Sequence, residues 1–310
     1  MQEERKEKQV ILHIGMGKTG TTSIQKILCD NRSQLKDLGY YYPDIGMYAY
    51  AHHRLANYKI DSLPRGVSKL YKDILENFEK NNCTTLLLSS EQFCFCKPQF
   101  VQELGELFSK WPVRVLFYIR KQESLILSTF LQKLKEGEDY HDNIESFFNK
   151  NKLAFDFNKR IKNWVSVFGA ESIDIRVYGK AGQKYDVCQD FLDAIHLNKA
   201  LDIHGDFRSN KSMLPEFAAI ISLVDSVIRG ESAREAIVEK LLLLSGKFGH
   251  LNEDLLPEFV EILSLLDLAL CGESVRENLV EKLLTLSAEF KNESDCKLLN
   301  DELKKSIRDY

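Results

Sequence analysis

The chain has 310 residues, of which 44% are hydrophobic and 28% charged, and a net charge of −4. This is globular composition: it excludes a disordered or fibrous chain and gives nucleic acid no bulk positive charge to bind. Seven cysteines lack framework spacing, the N-terminus MQEERKEKQV is charged, and no apolar run reaches roughly 18 residues. The sequence therefore predicts reduced thiols, no signal peptide, no transmembrane segment and a cytoplasmic location, at most peripheral to a membrane.

The charge is uneven. Residues 213–297 carry 16 acidic and 8 basic side chains, leaving 34 basic and 30 acidic ones elsewhere. A small anionic ligand is expected in the first two-thirds.

In chain order, QVILHI (residues 9–14) reads as a buried strand that stops at Gly15, with His13 as a satisfied buried histidine. The loop GMGKTGTT follows. A helix is then predicted from Thr22 to about Leu38, with Ile24, Ile27, Leu28 and Leu35 on one face and Gly39 as its stop. Further strands are predicted at Thr84–Ser89, Val113–Ile119 and Ser172–Val177, with helices near 67–80, 99–109, 122–136 and 157–168. The alternation predicts an α/β fold, a P-loop-like parallel sheet flanked by helices, with ligands at the carboxyl ends of its strands.

The last third is a tandem duplication. At an offset of 42 residues, LPEFAAIISLVDSVIRGESAREAIVEKLLLLSGKF overlies LPEFVEILSLLDLALCGESVRENLVEKLLTLSAEF with 21 of 35 positions identical. Each copy reads as a helical hairpin turning at Gly230 or Gly272, with Ser232 or Ser274 placed to cap the second helix. The predicted organisation is an α/β domain over 1–212, all-α duplicated hairpins over 213–297, and a C-terminal helix over 298–310. Two copies are too few for a solenoid, so the hairpins pack on the α/β domain or serve homo-oligomer or partner docking.

Strand, glycine-rich loop and helix in that order bind phosphate. The first N–H groups of a helix lack intrahelical acceptors, and the helix dipole favours an anion there. Gly15, Gly17 and Gly20 allow close backbone approach, Lys18 adds a charge, and Thr19, Thr21 and Thr22 add hydroxyls. The triphosphatase loop G-x-x-x-x-G-K-[ST] does not fit, because its first glycine falls on Leu12 and its lysine precedes the helix. Cys94 and Cys96 form a C-x-C pair with no second pair at ligand spacing, so no zinc site is expected.

HIGMGKTGTTSIQ instead resembles the 5′-phosphosulfate loop of sulfotransferases that use 3′-phosphoadenosine 5′-phosphosulfate (PAPS). That loop usually reads P-K-x-G-T-T; here Gly17 stands for the proline and Lys18 for the lysine. VRVLFYIRKQESLILSTF resembles the family's 3′-phosphate block, an arginine followed eight residues on by a serine, as Arg120 and Ser128. FRSNKS, with Arg208, looks like the segment that closes over the cofactor in bacterial members, and LLLSSEQF places Glu91 where many carbohydrate sulfotransferases carry an acidic residue near the acceptor. The resemblance covers residues 9 to about 212.

The resemblance implies a bacterial-type carbohydrate sulfotransferase. PAPS would be the donor, 3′,5′-ADP the product, no metal would be required, and a carbohydrate or glycolipid hydroxyl would be the acceptor. Lys18, Thr19, Gly20, Thr21, Thr22 and Ser23 would hold the phosphosulfate, Arg120 and Ser128 would hold the 3′-phosphate, and Arg208 would be a further cofactor-binding residue. The general base is one of Glu91, His53 and His52. The alternatives are a P-loop kinase using ATP and a non-enzymatic nucleotide-binding or scaffold protein acting through its helical repeats.

Overall fold

The computed structural model describes residues 7–56, 61–136, 144–179, 185–197, 201, 235 and 237–243. Arg208 and the duplicated hairpins lie outside the described residues, apart from the helical positions 235 and 237–243. The chain divides into two compact units, residues 1–125 with 151–209 and residues 126–150 with 210–310.

The first unit is a five-stranded parallel sheet. Its strands are β1 (Gln9–His13), β2 (Tyr40–Tyr41), β3 (Thr85–Ser89), β4 (Val113–Arg120) and β5 (Ile173–Tyr178). Their order across the sheet is β2-β3-β1-β4-β5, with Gln9 beside Thr85 and Val10 beside Val113. The central strand is covered on both sides, as its unbroken apolar run requires: Val10, Ile11 and Leu12 are at most 2% exposed. Burying each such side chain contributes roughly 1.5–3 kcal/mol.

Alternation along the strands separates two cores. Ile11, Leu87, Leu116 and Tyr118 pack with α1 (Thr21–Asp30), α2 (Arg32–Asp37) and α8 (Val187–Ala194) through Ile24, Leu28, Leu35, Phe191 and Leu192. Val10, Leu12, Leu86, Leu88, Val115 and Phe117 face the other way and are also buried. The helices α3 (Arg65–Lys80), α4 (Pro98–Leu107) and α7 (Phe157–Phe168) bury Tyr71, Phe78, Phe100, Leu104 and Trp164.

The single helix expected from Thr22 to Leu38 is two. The Asn31 side-chain amide donates to the Ile27 carbonyl at 2.8 Å, its backbone sits at φ −108° and ψ 21°, and α2 starts afresh at Arg32. A side chain that bonds the carbonyl four residues back competes with the helical ladder and ends it.

In the second unit, the part of α5 (Gln122–Lys135) beyond Leu125 and α6 (Ile144–Asn151) bring Phe130 and Phe147 together at 5.4 Å between ring centres. Leu131, Leu134, Ile237 and Leu241 are buried there as well. Among the described residues, no helix is long and apolar enough to cross a membrane.

Candidate functional site

The site stands at the carboxyl ends of β1, β3, β4 and β5. The chain leaves β1 at His13, and the Ile14 N–H donates to the Leu116 carbonyl of β4 at 3.0 Å, which fixes where the glycine-rich loop begins. Inside the loop the Thr19 hydroxyl donates to the Met16 carbonyl at 2.5 Å, and Thr19 is fully buried. This departs from the expectation of a ligand-facing hydroxyl: the bond is spent on tightening the loop. Thr21 is 3% exposed, whereas Lys18, Gly20, Thr22 and Ser23 are partly exposed.

Two consecutive features turn the chain into α1. Lys18 has φ 66° and Gly20 has φ 80°, both in the left-handed region. Gly20 precedes the helix and contributes no side-chain cap; its carbonyl accepts from the Ser23 and Ile24 N–H groups at 3.1 and 3.2 Å, which closes the first turn of α1. A Cβ on Gly20 would lie 2.7 Å from Val187 Cγ1 and 3.1 Å from the Tyr178 ring. The loop thus packs directly on the end of β5 and the start of α8.

Arg120, the last residue of β4, reaches this loop. Its Nη1 donates to the Lys18 carbonyl at 3.2 Å, and its guanidinium carbon stands 5.4 Å from the centre of the Tyr178 ring. Tyr178 meets Tyr185 edge to face at 5.5 Å. The wall behind is rigid: Asp190 on α8 accepts two bonds from Arg176 (2.7 and 2.9 Å) and one from the fully buried Tyr118 (2.8 Å). Arg176 and Asp190 form a bidentate, charge-assisted pair, the geometry that fixes a guanidinium most firmly. Ser128 lies on α5 in the second unit, half-buried.

A second group gathers where β3 ends. His53 Nδ1 lies 2.8 Å from the Ser90 hydroxyl, and its Nε2 faces Glu91 Oε1 at 3.9 Å. The other Glu91 oxygen accepts from Gln25 Nε2 at 2.9 Å. Gln25 belongs to α1, one turn beyond Thr21, so it ties the carboxylate to the helix that opens at the loop. Four residues of helix rise about 6 Å.

The neighbouring histidine is different. His52 is fully buried: its Nδ1 accepts from the Ser89 N–H at 3.1 Å and its Nε2 donates to the Pro43 carbonyl at 2.9 Å. Both ring nitrogens are committed in the neutral form, and burial pulls its pKa down to about 4. This corrects the expectation that His52 is a candidate base; it is a buried brace between two chain segments. His13 is buried as expected but only half satisfied. Its Nδ1 meets the Ser89 hydroxyl at 2.8 Å, while Nε2 has no partner, and burial lowers its pKa to about 3. Gly15 lies against that nitrogen, where an added Cβ would come within 2.8 Å of Nε2.

Cys94 and Cys96 are buried, and burial pushes both thiols up, Cys96 to about 12. Tyr42 is buried and donates to the Tyr50 carbonyl at 2.9 Å, while the half-buried Tyr40 donates to the Ile195 carbonyl at 2.6 Å. Gln25, Ser90 and Tyr178 are the site residues that sequence reasoning missed. A glutamine among the buried positions Ile24, Ile27 and Leu28 was the available signal for the first of them.

No family model matches the chain, and no curated protein matches it. A solved structure of a sulfotransferase from Alicyclobacillus acidocaldarius is similar at a TM-score of 0.40 and 13% sequence identity, with the match covering 73% of this chain and 98% of that one.

Proposed function

We propose that the chain is a sulfotransferase that moves a sulfuryl group from PAPS to a carbohydrate or glycolipid hydroxyl. The observation that carries this reading is the Arg120 guanidinium at the Lys18 carbonyl, 3.2 Å away, beside an α1 N-terminus that has no side-chain cap. A nucleotide with phosphates at both its 5′ and 3′ positions requires two such cationic stations at one strand edge. The loop's motif and the Arg120–Ser128 spacing support the same ligand.

The residues present suit that ligand. Lys18 neutralises the 5′-phosphate and the bridging oxygen as charge builds there, and backbone amides and hydroxyls among Gly20, Thr21, Thr22 and Ser23 hold the phosphosulfate. Arg120 takes the 3′-phosphate as a guanidinium fork, and Ser128 and Arg208 are proposed as further cofactor-binding residues. Glu91 and His53 stand at the adjacent strand end as the two candidates for the group that takes the acceptor hydroxyl's proton. Positioning and charge neutralisation carry the reaction, as in phosphoryl transfer.

Calorimetry with 3′,5′-ADP, AMP and ATP, without added metal, tests the reading. The bisphosphate should bind at least about tenfold more tightly than AMP, the worth of a charge-assisted contact to the extra phosphate. Equal or tighter binding of ATP refutes it. Transfer of radiolabelled sulfate from PAPS to a panel of methyl glycosides then tests the acceptor class.

A further inference from the structure

The geometry around Glu91 contains more than a candidate base. Gln25 is 3% exposed, and its amide ends on Glu91 Oε2 at 2.9 Å, across 66 positions of sequence. Ser90 is fully buried, and its hydroxyl oxygen already accepts from the Gln92 N–H at 3.2 Å while lying 2.8 Å from His53 Nδ1. A buried hydroxyl uses its single proton. The partner these bonds offer that proton is His53 Nδ1, which leaves the imidazole proton on Nε2, facing Glu91 Oε1 at 3.9 Å.

We propose that Glu91 is the base and that Gln25 and Ser90 are its positioning residues: Gln25 fixes one carboxylate oxygen, and Ser90, by setting the His53 tautomer, aims an N–H at the other. The proposal rests on the sulfotransferase reading and deepens it. As the acceptor oxygen bonds to sulfur, the sulfur–oxygen bond to the 5′-phosphate breaks and the bisphosphate leaves with that electron pair. The hydroxyl proton passes to Glu91 Oε1. His53 cannot take it in this arrangement, because Nδ1 accepts from Ser90 and Nε2 carries its own hydrogen.

The charged and titratable groups around the cluster fit a carboxylate held in this role. Arg32 on α2 stands 4.0 Å from Asp44, and His52, Tyr42 and Cys94 are buried and uncharged at neutral pH. Gln25 is therefore the neutral donor that reaches Glu91 from the helix bearing the phosphate loop. Its loss should loosen the base and leave the nucleotide station intact.

The test compares Q25M, S90A, E91Q and the double variant Q25M/E91Q for transfer from PAPS to methyl glycosides, with calorimetry of 3′,5′-ADP on each. E91Q should lose about 10²- to 10⁴-fold in kcat, the usual share of a general base. Q25M should lose about tenfold or more, as expected for a hydrogen bond to a charged group. The double variant should be no slower than E91Q, because Gln25 acts only through Glu91. Affinity for 3′,5′-ADP should change less than about twofold, a margin well below one hydrogen bond.

Nitrogen-15 NMR of the wild-type imidazoles above pH 8 supplies a readout that needs no acceptor. His53 should show the Nε2-protonated tautomer, and S90A should show a mixture. Effects of Q25M and E91Q that multiply, or a His53 protonated at Nδ1, overturn this inference while bisphosphate binding keeps the sulfotransferase reading. Failure of the wild type to bind 3′,5′-ADP overturns both. If none of the glycosides accepts sulfate, the tautomer decides.

Discussion

Acidification from pH 8 to pH 5 should destabilise the sheet unit through two buried histidines. Burial holds His13 and His52 neutral, with pKa values of about 3 and about 4 in the fold against 6.5 in an exposed chain. Above pH 6.5 neither the folded nor the unfolded state binds these protons, so the pair adds no pH dependence. Below 6.5 the unfolded chain takes up protons that the fold refuses, and stability falls until the pH reaches each folded value. At pH 5 each ring accounts for a loss of about 2 kcal/mol, or about 4 kcal/mol together. That is a large share of the roughly 5–15 kcal/mol that holds an ordinary domain folded.

Both tryptophans of the chain, Trp111 and Trp164, belong to this unit, so urea unfolding followed by their fluorescence reports on it. With a slope of about 2 kcal/mol per molar urea, the midpoint should fall by about 2 M between pH 8 and pH 5. H52Q keeps a polar group but cannot titrate, and should remove about half of that fall, since each ring supplies an equal part of it. Two results would refute the reasoning. One is a midpoint in H52Q that drops as far as in the wild type. The other is a proton NMR titration in which either buried ring changes charge between pH 8 and pH 5.

Three further outcomes are expected. Gly20→Ala should destabilise by about 1–3 kcal/mol, because it combines a left-handed backbone with a contact to Val187, and it should weaken 3′,5′-ADP binding. Gly17→Ala meets nothing within 4 Å and should stay within about 0.5 kcal/mol of wild type; thermal unfolding of the pair checks both. Arg120→Ala should raise the Kd of 3′,5′-ADP by about 10- to 100-fold and that of AMP by less than about twofold, and Arg120→Lys should recover only part of the difference, since an ammonium lacks the guanidinium fork. Calorimetry reads both ratios.

The strands β1, β3 and β4 were legible because each centres on a short apolar run, the signature of a parallel sheet covered on both faces, and the edge strand β5 because Ile, Ile and Val alternate with Asp and Arg along it. The two-residue strand Tyr40–Tyr41 was not, since its pairing depends on β3 and no periodicity fits in two positions. The break in the first helix depends on where one side-chain amide points, which composition does not encode. At the site, the loop and the arginine carried motifs, but the roles of His52 and His53 are set by packing. These neighbours are chemically identical; one turns inward onto Ser89 and Pro43, and the other turns toward Ser90 and Glu91. Gln25 was hidden because its partner is 66 residues away, at a distance only the folded sheet closes.

Lys18 is long and flexible, yet its backbone adopts a conformation that suits glycine. A left-handed residue with a Cβ is disfavoured by roughly 1–2 kcal/mol. Replacing it with glycine should therefore raise the melting temperature while deleting the ammonium. Under the proposed function, durability and ligand chemistry pull in opposite directions at this position: a search for sturdier variants would find the glycine substitution early, and that variant should no longer transfer sulfate.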